Sequence, residues 1–150
     1  LVKHLSMIDV TSKPEVYREA TAQGLIKLKP KTISLIREGK IEKGNPFETA
    51  KIAGILAAKK TSSLIPLCHP LPLTNIDVNL KIINDSKIMV ESKVKTRAQT
   101  GVEMEALVAT SMALLTLWDM TKQYEKDAKG QYPDTLIQNM HVVRKIKQKK

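Results

Sequence analysis

Two consecutive runs of alternating residues leave this chain few choices of fold. From Asn75 to Ile83, apolar residues recur at every second position (Ile76, Val78, Leu80, Ile82), and from Lys87 to Thr96 Ile88, Val90 and Val94 repeat the pattern. A period of two puts each set on one side of an extended strand. Between them, Asn84-Asp-Ser86 supplies short polar side chains that bond to their own backbone and favour turns. The runs predict an antiparallel hairpin with one covered face, and something apolar must lie on that face. A candidate follows at once. Val102, Ala106, Leu107, Ala109, Met112, Ala113, Leu117 and Met120 make the next segment a helix that is apolar on most sides. Thr100 with Glu103 three residues on reads as its capping box, and its end is expected near Trp118-Asp-Met-Thr-Lys122.

The remaining elements are built around this unit. Ile8 to Pro14 reads as strand and turn, Tyr17 to Leu28 as a second extended piece, and Thr32 to Glu38 as a short helix stopped by Gly39. Asn45 caps a further helix, with Pro46 at its first position and Glu48 completing a capping box. That helix runs to about Lys60, with Ile52, Ile55 and Leu56 as its expected apolar stripe. Met140 to Ile146 reads as a final strand. Strand, helix, strand pair, helix, strand is the order of an α+β sandwich, an antiparallel sheet with helices on one face. No linker or repeat divides the chain, so residues 1–150 are expected to form one domain, with 1–6 and 146–150 flexible.

Charge and aromatics narrow the function. Twenty-five Lys and Arg against 15 Asp and Glu give a net charge of +10, which favours a polyanionic partner. One Trp, three Tyr and one Phe are too few and too scattered for base-stacking platforms, so nucleic acid is the weaker reading of that charge. Cys68 is the sole cysteine, which excludes an internal disulfide and suggests a reducing, cytoplasmic setting. The N-terminus lacks a signal-peptide core, and Leu107 to Trp118 is too short and too interrupted to span a membrane.

Groups able to move protons cluster in three places. His69 lies between Pro66 and Pro70 beside Cys68, where an imidazole can serve as acid, base or phosphate contact. Glu103 and Glu105 open the long helix, and Asp119 and Lys122 share one of its faces near the other end. Taken singly, each has a structural explanation: a satisfied histidine, helix-dipole carboxylates, a surface ion pair. His4, His69, His141 and Cys68 show no metal-ligand spacing. Lys43-Gly44 places a cation beside a helix N-terminus, and Arg144, Lys145, Lys147, Lys149 and Lys150 make a basic tail. Glu103 and Asp119, 16 residues apart on a continuous helix, would be separated by about 24 Å. A small substrate touching both must then use residues of two subunits.

At these residues the chain resembles the MoaC family, the cyclic pyranopterin monophosphate synthases of molybdenum-cofactor (molybdopterin) biosynthesis. The likeness runs through Met7-Ile-Asp-Val10 with Arg18-Glu-Ala20, Lys43-Gly44, Ala50-Lys-Ile-Ala-Gly-Ile55 and Ala57-Ala-Lys59. It continues in Leu64-Ile-Pro-Leu-Cys-His-Pro-Leu71, Thr100-Gly-Val-Glu-Met-Glu-Ala-Leu107 and Asp119-Met-Thr-Lys122. The resemblance implies a ferredoxin-like fold and a homohexamer, a trimer of dimers with sites at subunit contacts. It implies a phosphorus–oxygen lyase that converts a cyclic dihydro-GTP to cyclic pyranopterin monophosphate with release of pyrophosphate. Neither metal nor redox cofactor is implied, Mg²⁺ entering at most with the triphosphate, and no nucleic acid or membrane. By motif, Asp119, Lys122 and Lys43 are the catalytic group, and Leu67, Cys68, His69, Glu103 and Met104 line the substrate pocket. Glu105 is its second carboxylate, Arg18 a basic contact, and Lys145 stands where the family has a tail lysine. Departures are Gln99, in place of a basic residue, the tail Lys145-Ile-Lys-Gln-Lys-Lys150, and an insertion at 130–135. The competing class is a non-catalytic basic protein that binds RNA or anions.

Overall fold

The computed structural model describes residues 2–148 and shows eight elements. They are β1 (Val16–Lys27), α1 (Pro30–Arg37), α2 (Pro46–Ala58), α3 (Thr61–Leu64), β2 (Leu73–Ile82), β3 (Lys87–Ala98), α4 (Glu103–Glu125) and β4 (Leu136–Gln148). The strands form one sheet in the order β2-β3-β1-β4, antiparallel throughout. β1 reaches β2 by crossing β3, and β3 reaches β4 by crossing β1. Two interleaved βαβ units of this kind make the ferredoxin-like α+β fold.

The hairpin is as the alternation predicts. Ile76 pairs with Val94, Val78 with Ser92 and Leu80 with Val90. On the same side Ile88, Val90 and Val94 are fully buried. α4 lies on that face, burying Ala109, Ala113, Leu114 and Leu117 in a core shared with Ile26, Leu28 and Ile33. The opposite side of the sheet carries polar cross-strand neighbours such as Asp77 with Lys93 and Gln23 with Glu91, the last pair hydrogen-bonded at 2.6 Å.

α2 is capped as expected, Asn45 Oδ1 accepting from the backbone N–H of Phe47 at 3.0 Å and Glu48 at 3.2 Å. Of the expected stripe only Ile55 packs against the core. Ile52 and Leu56 are more than half exposed, while Ala50, Gly54, Ala57 and Ala58 face the core. The reason is proximity: a Cβ on Gly54 would stand 2.9 Å from the Ala109 carbonyl oxygen, so only small residues fit between α2 and α4. Thr61–Leu64 forms an additional short helix after α2.

Three other expectations need correction. Residues 8–10 are not a strand; only a turn forms before β1, with Lys13 N–H donating to Val10 O at 3.0 Å. Thr100 does not cap α4, which begins at Glu103 after Val102 with no side-chain cap and runs on to Glu125. Glu103 therefore stands at the first helical position rather than the third and completes no capping box; its carboxylate pairs with Lys145 at 2.8 Å. The final strand starts earlier and ends later than 140–146, so 146–148, expected to be loose, are paired with Tyr17, Arg18 and Glu19. Leu1, Lys149 and Lys150 lie outside the described residues.

Candidate active site

The chemistry-bearing residues gather at two stations separated by the length of α4. At its C-terminal half, Asp119 is clasped by two ammonium groups. Lys122 Nζ lies 3.1 Å from Oδ1, Lys43 Nζ lies 3.2 Å from Oδ2, and Lys43 also donates to the Asp119 carbonyl at 3.0 Å. The spacing of three turns Lys122 toward Asp119 on the helix surface. Lys43 arrives from another element, the turn before α2. Gly44 there has φ +117°, a conformation side-chain-bearing residues rarely adopt. The turn is fastened to α4 by Glu42, whose N–H donates to the Tyr124 hydroxyl at 2.8 Å and whose carboxylate accepts from Gln123 at 2.9 Å. The bonds from Lys122 and then Lys43 hold the exposed Asp119 carboxyl below its ordinary range.

The second station is a cavity of about 410 Å³ in front of the N-terminus of α4. Leu67, Cys68 and His69 form one wall, and Thr100, Gly101, Glu103 and Met104 another. Burial pushes the Glu103 carboxyl upward, but the Lys145 hydrogen bond, the backbone and the charges of Lys145 and Arg18 outweigh it, so the net shift is downward and Glu103 stays ionised. Gly101 gives it room: a Cβ there would collide with the Glu103 carboxylate. Lys145, from β4, meets the lining residue Glu103 through that 2.8 Å ion pair.

Two residues assigned to the pocket stand behind it. Arg18 is only 6% exposed, its guanidinium donating to the carbonyls of Ala98 at 3.0 Å and Gln99 at 3.2 Å. It fixes the turn from β3 into the pocket wall, and Gln99 contributes its backbone rather than a charge. Glu105 is 2% exposed, and among the described residues its Oε1 has no hydrogen-bond partner. Burial raises its pKa, against a backbone bond that lowers it and with the charge of Glu103 adding to the rise. Burial likewise raises the Cys68 thiol, helped by the Glu105 charge, which keeps Cys68 a neutral thiol rather than a nucleophile.

Sequence reasoning missed one wall entirely. Ile8, Val10 and Lys13 line the cavity, brought there by a bond from the His69 Nε2–H to the Ile8 carbonyl at 2.6 Å. Because a carbonyl only accepts, that bond places the imidazole hydrogen on Nε2. The only signal for this wall was the presence of Met7-Ile-Asp-Val10 among the residues carrying the family resemblance.

Carboxylates, lysines and a histidine at two stations on a ferredoxin-like α+β frame are the equipment of a proton-transfer enzyme. The chain belongs to the MoaC family, whose model matches residues 7–148. It is 59% identical to the probable cyclic pyranopterin monophosphate synthase of Saccharolobus solfataricus over 143 residues, 95% of either chain. It is 56% identical to the protein of the same name from Pyrococcus furiosus, covering 99% of this chain and 94% of the relative. A relative from Methanothermobacter thermautotrophicus, described as a probable cyclic pyranopterin monophosphate synthase accessory protein, is 54% identical over 97% of this chain and 91% of its own length.

Proposed function

We propose that this chain is a cyclic pyranopterin monophosphate synthase of molybdenum-cofactor biosynthesis, acting on a cyclic dihydro-GTP and releasing pyrophosphate. The observation that carries the reading is similarity along nearly the whole chain to relatives of that name. The chemistry agrees with it. Opening a purine ring and closing a cyclic phosphate are successive proton transfers that an aspartate flanked by lysines can perform. In this reading Asp119 is the acid/base, Lys122 exchanges protons with it, and Lys43 steadies the charge. Loss of pyrophosphate is favoured by cations near the departing oxygen.

The two stations act together only if subunits share them. α4 is continuous from Glu103 to Glu125, so Asp119 lies about 24 Å along it from Glu103. We therefore assign each catalytic centre to two subunits of a hexamer, the pocket of one facing the Asp119 clasp of the next. Exposed apolar side chains support such contacts: Ile52 and Leu56 on α2, Leu115 on α4, and Met140 and Val143 on β4. Among the described residues no helix is long and apolar enough to cross a membrane. We place the enzyme in the cytoplasm, where the lone Cys68 would stay reduced.

The test is incubation with the cyclic dihydro-GTP, with mass spectrometry for pyrophosphate and the cyclic phosphate. Asp119→Asn and Lys122→Ala should fold and assemble normally yet form no product; near-normal turnover by either would remove the assigned roles. Tight, steeply salt-dependent oligonucleotide binding without turnover by the unaltered protein would establish the basic binding protein instead.

A further inference from the structure

The two cations that clasp Asp119 are held in place by different means. Lys122 lies on α4 three residues after Asp119, so the helix itself keeps it on the same face. Lys43 sits in the turn between α1 and α2, and its own segment does little to fix it. Ile41 before it and Pro46 after it are buried, but residues 42–45 are exposed, so core packing does not set their course. Gly44, directly after Lys43, has the widest backbone freedom of any residue type and uses it, at φ +117°. A lysine adds a long flexible stem, which reaches one partner reproducibly only if its backbone is held.

The hold comes from α4. The hydroxyl of Tyr124 accepts the N–H of Glu42, the residue before Lys43, at 2.8 Å, and Gln123 donates to the Glu42 carboxylate at 2.9 Å. The Tyr124 ring is half-buried, which restricts where its hydroxyl can stand. Gln123 and Tyr124 follow Asp119 by four and five residues on one helix, so clamp and carboxylate keep a fixed separation. The helix that carries Asp119 thus also registers Lys43 against it. From that position Lys43 Nζ reaches both the Asp119 carbonyl at 3.0 Å and Oδ2 at 3.2 Å. A displacement of about 1 Å in such a pair is enough to lose most of its catalytic effect.

We propose that Tyr124 is a positioning residue for the reaction: by holding the Glu42 N–H, its hydroxyl sets Lys43 against Asp119 and keeps the proton-transferring pair assembled. The proposal rests on the function assigned above, in which Asp119 is the acid/base and Lys43 steadies its charge.

Tyr124→Phe removes the hydroxyl and keeps the ring. Two measurements read its effect: carbon NMR titration of the Asp119 carboxyl in aspartate-labelled protein, assigned with Asp119→Asn, and turnover of the cyclic dihydro-GTP. Lys122 and Lys43 are the cations on Asp119, so loosening Lys43 should raise the titration midpoint toward, and not beyond, that of Lys43→Ala. The kcat should fall about threefold to tenfold, as for loss of one hydrogen bond, with KM within about twofold. Tyr132→Phe, which removes a hydroxyl from the ring beside Trp118, is the control and should change neither quantity. Introduced into Lys43→Ala, Tyr124→Phe should add nothing, because the two residues act through one contact. An unchanged midpoint in Tyr124→Phe would overturn the proposal, as would an equal rise in Tyr132→Phe or a further rise in the Lys43→Ala background. Absence of turnover in the unaltered protein would refute the assigned reaction alone, since the titration still decides what Tyr124 does.

Discussion

Glu125, at the last turn of α4, provides the sharpest test of how the fold is held. It is fully buried, and its carboxylate accepts from the Lys29 N–H at 3.0 Å to Oε2 and 3.2 Å to Oε1, from the Thr135 hydroxyl at 2.6 Å, and from the Thr32 hydroxyl. One side chain therefore joins the exit of β1, the first turn of α1, the end of α4 and the entry to β4. Glu125→Ala would strand three donors, two of them on threonines that are at most 6% exposed. Each stranded donor costs about 1–3 kcal/mol, but hydroxyls can rotate and water can enter the vacated space. The net cost should be about 3–5 kcal/mol, the sum for three neutral donors less what that relaxation recovers. Glu125→Gln keeps the volume and one acceptor, and the threonine hydroxyls can turn to accept from the new amide, so about 1–2 kcal/mol is expected. For a chain of this length, the alanine variant should melt about 10 °C lower or more. Urea unfolding at fixed protein concentration, followed by Trp118, which shares α4 with Glu125 and packs edge-on against Tyr132 at 5.2 Å, gives the measurement. An alanine variant within about 1 kcal/mol of the parent, or a glutamine variant less stable than the alanine one, would refute this account of the network.

Two further outcomes are expected. Gly54→Ala favours helix by about 1 kcal/mol, but its Cβ would meet the Ala109 carbonyl at 2.9 Å and Val78 Cγ2 at 3.2 Å, and a helix backbone cannot swing aside. Overpacking of about 1–3 kcal/mol should win, so the same urea assay should show a loss, and a gain would mean that α2 and α4 are less closely packed. Burial raises the Glu105 carboxyl, so its contribution to native stability is fullest below its ordinary value of 4.5 and falls as pH rises through the raised folded value. Glu105→Gln removes that dependence. Across a pH series of unfolding midpoints, the variant should gain on the parent above pH 4.5, and parallel curves would show that Glu105 ionises freely.

Much of this molecule was legible in local pattern. The period of two from Asn75 onward specified the hairpin, and Asn45-Pro46 specified where α2 begins, because strand faces and helix caps are set by neighbours in sequence. The apolar positions recurring from Val102 to Met120 specified one long helix. Helix length alone then separates Glu103 from Asp119, a result of rise per residue that no packing can alter. The identity and order of Cys68, His69, Glu103, Asp119 and Lys122 carried the family resemblance.

Tertiary structure decided what each element leans on, which periodicity does not encode. Ile52 and Leu56 look like the core face of α2, yet the close approach of the Ala109 backbone gives that face to Gly54 and its alanines. Glu103 looks like half of a capping box, yet Lys145, 42 residues on, takes its carboxylate. Arg18 and Lys43 are both cations of the expected site, but β1 buries the first against Ala98 and Gln99 while a turn pinned to Tyr124 carries the second to Asp119. Lys13 gave no periodic signal at all, because its loop is placed by one bond from a histidine 61 residues away from the carbonyl it holds. By itself, the sequence determined which groups this protein possesses and how far apart one helix must hold them. Only the folded chain decided which groups are paired, which are buried and which remain free to meet a ligand, because those depend on contacts between segments distant along the chain.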